Sequence, residues 1–281
     1  MSLYSWSFHF DKNICQQLRI LKRELAKLCL SHVFDLSTSG LRDFDIVIFS
    51  TTIIWRFLPW KNRKIESQPI TKSNPLWNEF ETKIRKIYLK YFLSKDREGF
   101  VYEAMKIVDR MYVEAEHFED LHEKIEGERL IENYKKMNWF GCFRYTVEDE
   151  KDFYRAEVHI NNNVAPESPF SDKERKFNWF KSLVDDIYQK HPEVKDIGTG
   201  SWLNNNKGFL ELYPPEYEKS LVQITGEEKQ GMGWWGQFIR KDLTLNQHRA
   251  NILLNEKRFD CLVLRGVCKL KDLKRHVSAN L

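Results

Sequence analysis

The spacing of apolar residues changes its period at Asn138, and that change limits the folds open to the chain. Before it, Ile14, Leu18, Leu21, Leu25 and Leu28 recur every three or four residues, as do Trp77, Phe80, Ile84, Ile87 and Tyr91. Such spacing lines one face of a helix. After it, Phe140–Val147 and Phe153–Ile160 are rich in β-branched and aromatic residues and read as strands joined by the charged turn Glu148–Asp152. The expectation is an α+β protein: a mainly helical lobe over residues 1–137, then an α/β domain over 138–281 with a mixed sheet covered by helices.

Local signals refine this plan. Asp11 can cap the first helix, and Ser37–Gly40 ends it. Asn74-Pro75 opens a second helix with proline at its first position. A further helical stretch spans about Glu98–Met137, broken near Gly127. Ile46–Ile54 reads as a strand, and Pro59–Asn74 as a basic loop. In the second half, Ser171-Asp172-Lys173-Glu174 is a capping box ahead of the stripe Phe177, Phe180, Leu183, Val184 and Ile187. Val194–Ile197 reads as a short strand leaving into Gly198–Asn204. Ser220–Thr225 and Asp260–Val267 read as strands. Gly231–Gly236 opens a helix expected to run to about Glu256, and a short basic helix closes the chain.

Composition narrows the class. With 281 residues, 42% hydrophobic and 14% aromatic, the chain can bury a sizeable core. The net charge of +4 does not demand nucleic acid, but it is unevenly spread: residues 1–97 hold 17 basic and 9 acidic side chains, and 98–152 hold 8 and 15. Five cysteines, with no Cys-x-x-Cys, read as reduced thiols in a reducing compartment. Asp11 and Lys12 interrupt the start before any apolar run, so no secretory signal is expected. The apolar run Ile46–Trp55 is about half a membrane span. A cytoplasmic protein with no membrane partner is the expectation.

Four places could carry chemistry. On the second strand, alternation puts Tyr154, Ala156, Val158 and Ile160 on one face, and Phe153, Arg155, Glu157 and His159 on the other. His159 could act as general base with Glu157 beside it. Arg155 and Asn161 could contact substrate. In Gly198-Thr199-Gly200-Ser201-Trp202-Leu203-Asn204, Ser201 could donate a hydrogen bond or act as nucleophile, with Trp202 and Asn204 near substrate. Gln230, Gly231, Gly233 and Gly236 form a glycine loop able to hold a pyrophosphate at a helix start, flanked by Trp235 and Gln237. Finally, Glu114-x-x-His117 is half of a di-iron pattern whose second half is missing, so no metal is expected. The basic, aromatic-interleaved stretch Trp55–Lys72 would suit single-stranded nucleic acid.

These motifs carry two resemblances. His159, Ser168-Pro169-Phe170, Gly200–Asn204, Tyr213-Pro214-Pro215-Glu216-Tyr217 and Gly231–Phe238 together resemble the pattern of an uncharacterised bacterial family over about residues 140–275. The strand, helix, strand order and the loop at Gly231 are similar to GNAT-like acyltransferases, whose pyrophosphate loop reads Arg/Gln-x-x-Gly-x-Gly/Ala; Glu228 stands here at its first position. The second resemblance implies acyl transfer from an acyl-CoA or related thioester to an amine or hydroxyl. His159, Glu157 and Ser201 would act at the reacting atoms, and no cofactor would be tightly held. The alternative is a non-catalytic protein that binds a ligand or nucleic acid through the same cleft.

Overall fold

A computed structural model of the chain describes residues 12–38, 75–110, 138–150, 153–224 and 232–281. The expected strand at Ile46–Ile54, the basic stretch Trp55–Lys72 and the Glu114–His117 pair lie outside the described residues. The fold is α+β.

Helix α1 spans Lys12–Thr38 and α2 spans Pro75–Phe92, while residues 97–110 form α3. Leu21, Leu25 and Leu28 of α1 are buried, as their spacing requires. So are Ile84 and Tyr88 of α2, with Phe100, Ala104 and Val108 of α3. Phe34 stacks on Phe100 at 4.9 Å between ring centroids. Asp35 of α1 ties the ends together by accepting from Arg97 at 3.0 Å and Lys257 at 2.5 Å.

Strands β1 (Phe143–Glu150) and β2 (Phe153–Ile160) form an antiparallel hairpin. Helix α4 (Lys173–Lys190) then crosses over to β3 (Asp196–Ser201), which lies parallel to β2. Short helical turns at Lys207–Leu210 and Pro215–Lys219 lead to the two-residue β4 (Val222–Gln223). After a helical turn at Met232–Trp235 and a 3-10 turn at Gly236–Phe238 comes α5 (Gln247–Glu256). β5 (Leu264–Lys269) and α6 (Leu270–Ala279) follow. The sheet order is β1-β2-β3-β5-β4, with β5 antiparallel to both its neighbours.

Several boundaries differ from the sequence reading for physical reasons. Asp172, not Ser171, caps α4, accepting from the Arg175 amide at 2.9 Å. Behind it the expected stripe Phe177, Phe180, Leu183, Val184 and Ile187 is buried in full. β3 continues through Gly198 and Gly200 instead of ending before them, because both glycines pair with β5. A Cβ on Gly198 would lie 2.4 Å from the Gly266 carbonyl oxygen, so close backbone approach accounts for the glycine there. The helix expected from Gly231 to Glu256 is interrupted. Leu243 takes φ +63° and Ile239 bridges to Leu245 before Asn246 caps α5.

Two hydrophobic cores form among the described residues. One lies between the sheet and the α4 and α6 helices, joining Ala156, Val158, Ile197 and Cys268 to Phe180, Ile187 and Leu273. The other joins α1, α2 and α3 to Trp234, Trp235, Phe238, Leu253, Phe259 and Val263. The helical lobe therefore shares its interior with the segment that precedes β5. Under the sheet, Tyr217 stacks on Tyr213 at 3.8 Å and presses on Gly266, where an added Cβ would sit 2.5 Å from the Tyr217 ring. Gly266→Ala should lower unfolding free energy by about 1–3 kcal/mol, read from the urea midpoint, since neither β5 nor the stacked ring can give way cheaply.

Candidate functional site

Backbone pairing between the parallel strands β2 and β3 stops at Glu157–Gly198, although β2 runs on to Ile160 and β3 to Ser201. Side chains bridge the two strands where the ladder ends. Thr199 Oγ1 donates to the Val158 carbonyl at 2.8 Å, and the Gly200 amide donates to Glu157 Oε1 at 2.9 Å. The carboxylate thus stands in for a missing backbone acceptor, which a buried N–H requires.

An alternating row of charges crosses the strands around it. Arg155 donates to Glu148 Oε2 at 2.9 Å, its Nε lies 3.9 Å from Glu157 Oε2, and Arg265 of β5 comes within 3.7 Å of Glu157 Oε1. Arg265 can reach Glu157 because β3, lying between them, places Gly198 and Gly200 there, with Asp196 further along the same face. Glu157 is 7% exposed. Burial pushes its carboxyl above the usual range, against the opposing pull of Arg265, the Gly200 amide and Arg155. Oε2 is buried and makes no hydrogen bond among the described residues.

His159 lies on the same face, one alternation further along β2. Its Nε2 shares a 2.8 Å hydrogen bond with Thr146 Oγ1. Burial, aided by the neighbouring Arg144, pulls its pKa down to about 4. The imidazole is therefore neutral at neutral pH and a weak base. As a proton acceptor near pH 7, Glu157 is better placed than His159, which reverses the order expected from residue type alone.

The remaining sequence candidates divide sharply. Ser201 belongs to the opposite face of β3 from Gly200, and its Oγ accepts from the Leu203 amide at 3.1 Å. It cannot pair with His159 as nucleophile and base. Asn204 spends both amide hydrogens on the Thr199 and Leu264 carbonyls, while its oxygen accepts from Tyr217. Gln237 spends its own on Trp234 and Cys261 carbonyls and accepts from the Cys261 amide. Both are braces of the fold, without a hydrogen left for a substrate. Asn161 is 1% exposed and donates to Asn163, so it shapes the loop after β2. Trp235 is sealed in the helical core against Phe259 and Phe238, so it walls no open pocket. Trp202 is half-buried beneath the Arg249 guanidinium, 5.0 Å from the ring centre.

Of the glycine loop, Gln230 and Gly231 lie outside the described residues. Gly233 belongs to the turn Met232–Trp235, which packs against β3 and Trp202–Asn205. Gly236 is buried in the 3-10 turn. The segments around 157, 200 and 233 therefore meet at one end of β3. Sequence reasoning missed Arg265, Thr199 and Glu148, because each enters through strand register. Only the Gly-x-Gly spacing of β3 hinted that a long side chain could cross it. No protein-family model, curated protein or solved structure matches the chain.

Between pH 6.5 and 4 the unfolded chain takes up a proton at His159 that the folded protein resists, so acidification destabilises the fold in that window. Urea midpoints of wild type should fall as pH drops through it. His159→Gln should fall less steeply, and equal slopes would show that the imidazole is not desolvated.

Proposed function

We propose that the protein is a small-molecule transferase that moves an acyl group from an acyl-CoA or similar thioester to an amine or hydroxyl, at the end of β3 where β2 and β3 part. One observation carries this reading: Glu157 Oε2 is buried, has no hydrogen-bond donor among the described residues, and belongs to a carboxyl held above its usual range. Such an oxygen is suited to take a proton from an acceptor as it attacks. Two further points support it. Ligands in open sheets favour the crevice beyond the carboxyl ends of parallel strands. The order hairpin, crossover helix, parallel strand, antiparallel strand is similar to that of GNAT-like acyltransferases.

In this scheme the acceptor nitrogen or oxygen attacks the thioester carbonyl. Its proton passes to Glu157, the carbon–sulfur bond breaks, and the thiolate leaves to be protonated. Arg155 and Arg265 hold the carboxylate in place. The donor's phosphates would fall to the glycine segment of which Gly233, in the turn Met232–Trp235, is described. A thioester donor and the free thiols Cys29, Cys142, Cys261 and Cys268 suit the cytoplasm. Among the described residues, no helix is long and apolar enough to cross a membrane.

A second reading is a non-catalytic ligand-binding protein. The arginines on both sides of Glu157 favour it, because ion pairing with them lowers the carboxylate's affinity for a proton. Thiol release from acetyl-CoA, followed with a panel of primary amines and alcohols, separates the two. Catalysis predicts release above the blank, reduced about 100-fold or more in Glu157→Gln with the far-ultraviolet circular dichroism unchanged. A rise in melting temperature with CoA but no turnover by wild type favours the binding protein. Neither a rise nor turnover removes acyl transfer.

A further inference from the structure

A cavity of about 410 Å³ lies at the other end of β3, away from Gly200 and Glu157. It forms where two chain junctions run side by side. α4 ends at His191-Pro192 and turns into β3, while β5 passes directly into α6, and the Leu270 amide donates to the Lys195 carbonyl at 2.9 Å to tie them. The lining is Tyr188, His191, Pro192, Val194 and Leu270 with the lysines Lys195, Lys269 and Lys271. It contains no carboxylate. The nearby acids are already engaged: Asp196 pairs with Lys269 at 2.9 Å, Glu193 with His191 at 3.3 Å, and Asp185 with Lys181 and Lys274. Among the described residues Lys195 reaches only the Pro192 carbonyl, at 3.2 Å, and Lys271 is exposed. The first turn of α6, which has no side-chain cap, also carries Asp272, and that carboxylate pairs with Arg275.

We infer that this cavity binds a small organic anion: a phosphate or carboxylate head set against Lys195 and Lys271, and an apolar or aromatic body set against Tyr188, Pro192 and Leu270. The volume falls in the range of small-molecule sites, and the wall combines apolar surface with a few converging cations, as such sites do. Exposed lysines hold an anion weakly, so the affinity belongs in the millimolar to high-micromolar range. The site is separate from Glu157, at the opposite end of β3, and does not depend on the acyl-transfer reading.

The test is the melting temperature of the full chain with phenyl phosphate, benzoate, inorganic phosphate or benzyl alcohol. Phenyl phosphate or benzoate should raise it by about 3 °C at roughly tenfold above Kd. Inorganic phosphate, lacking the ring, should bind about tenfold more weakly than phenyl phosphate. Benzyl alcohol, lacking the charge, should give no shift. The double variant Lys195→Glu, Lys271→Glu should melt as wild type does alone, because both side chains are exposed, yet bind either anion at least about tenfold more weakly. The same variant should keep any response to CoA that arises at the Glu157 end. The inference fails if no anion shifts the melting temperature, if the shift survives in the variant, or if benzyl alcohol or bare phosphate performs as well as phenyl phosphate.

Discussion

The Glu157 carboxylate, set where the backbone ladder between β2 and β3 ends, is the interaction around which the sheet is arranged. Parallel strands that stop pairing leave amide and carbonyl groups that water cannot easily reach. Here one oxygen of Glu157 takes the Gly200 amide, and the hydroxyl of Thr199 takes the Val158 carbonyl. A buried carboxylate is costly unless charges balance it, and Arg155 and Arg265 supply that balance from either side. The arrangement in turn demands glycine at 198 and 200. A side chain at either position would stand between Arg265 and its partner or strike β5.

The two cores make this junction rigid. Beneath the sheet, the Tyr213–Tyr217 stack and the Asn204 amide brace the start of β5 against the end of β3. At the strand end, Trp235, Phe238 and Phe259 carry the helical lobe onto the segment that feeds β5. Gln237 links the same pieces by holding both the amide and the carbonyl of Cys261. The polar residues that resemble substrate contacts in the sequence are thus the ones that hold this end of β3 in place.

What the sequence disclosed follows the reach of each signal. The stripe from Phe177 to Ile187 and the two faces of β2 were legible, because local periodicity decides which side of an element is buried. The glycines of β3 were misread as a loop, since glycine weakens a strand unless another chain segment crowds it, and that crowding by Gly266 and Arg265 is tertiary. Asn204 and Gln237 looked available because residue type does not reveal which carbonyls lie opposite. Arg265 was missed because its meeting with Glu157 depends on the β3–β5 register. His159 was read as the base from its ordinary pKa, whereas burial and Arg144 alter it.

Direct titration of the Glu157 carboxyl carbon by NMR, in wild type and in Arg265→Gln, tests the central claim most directly. A carboxyl that bridges the parted strands while buried should titrate above its ordinary value of 4.5, and higher again once Arg265 loses its charge. A Glu157 that titrates at or below 4.5, or that is indifferent to Arg265, would contradict this account of the sheet and of the chemistry proposed for it.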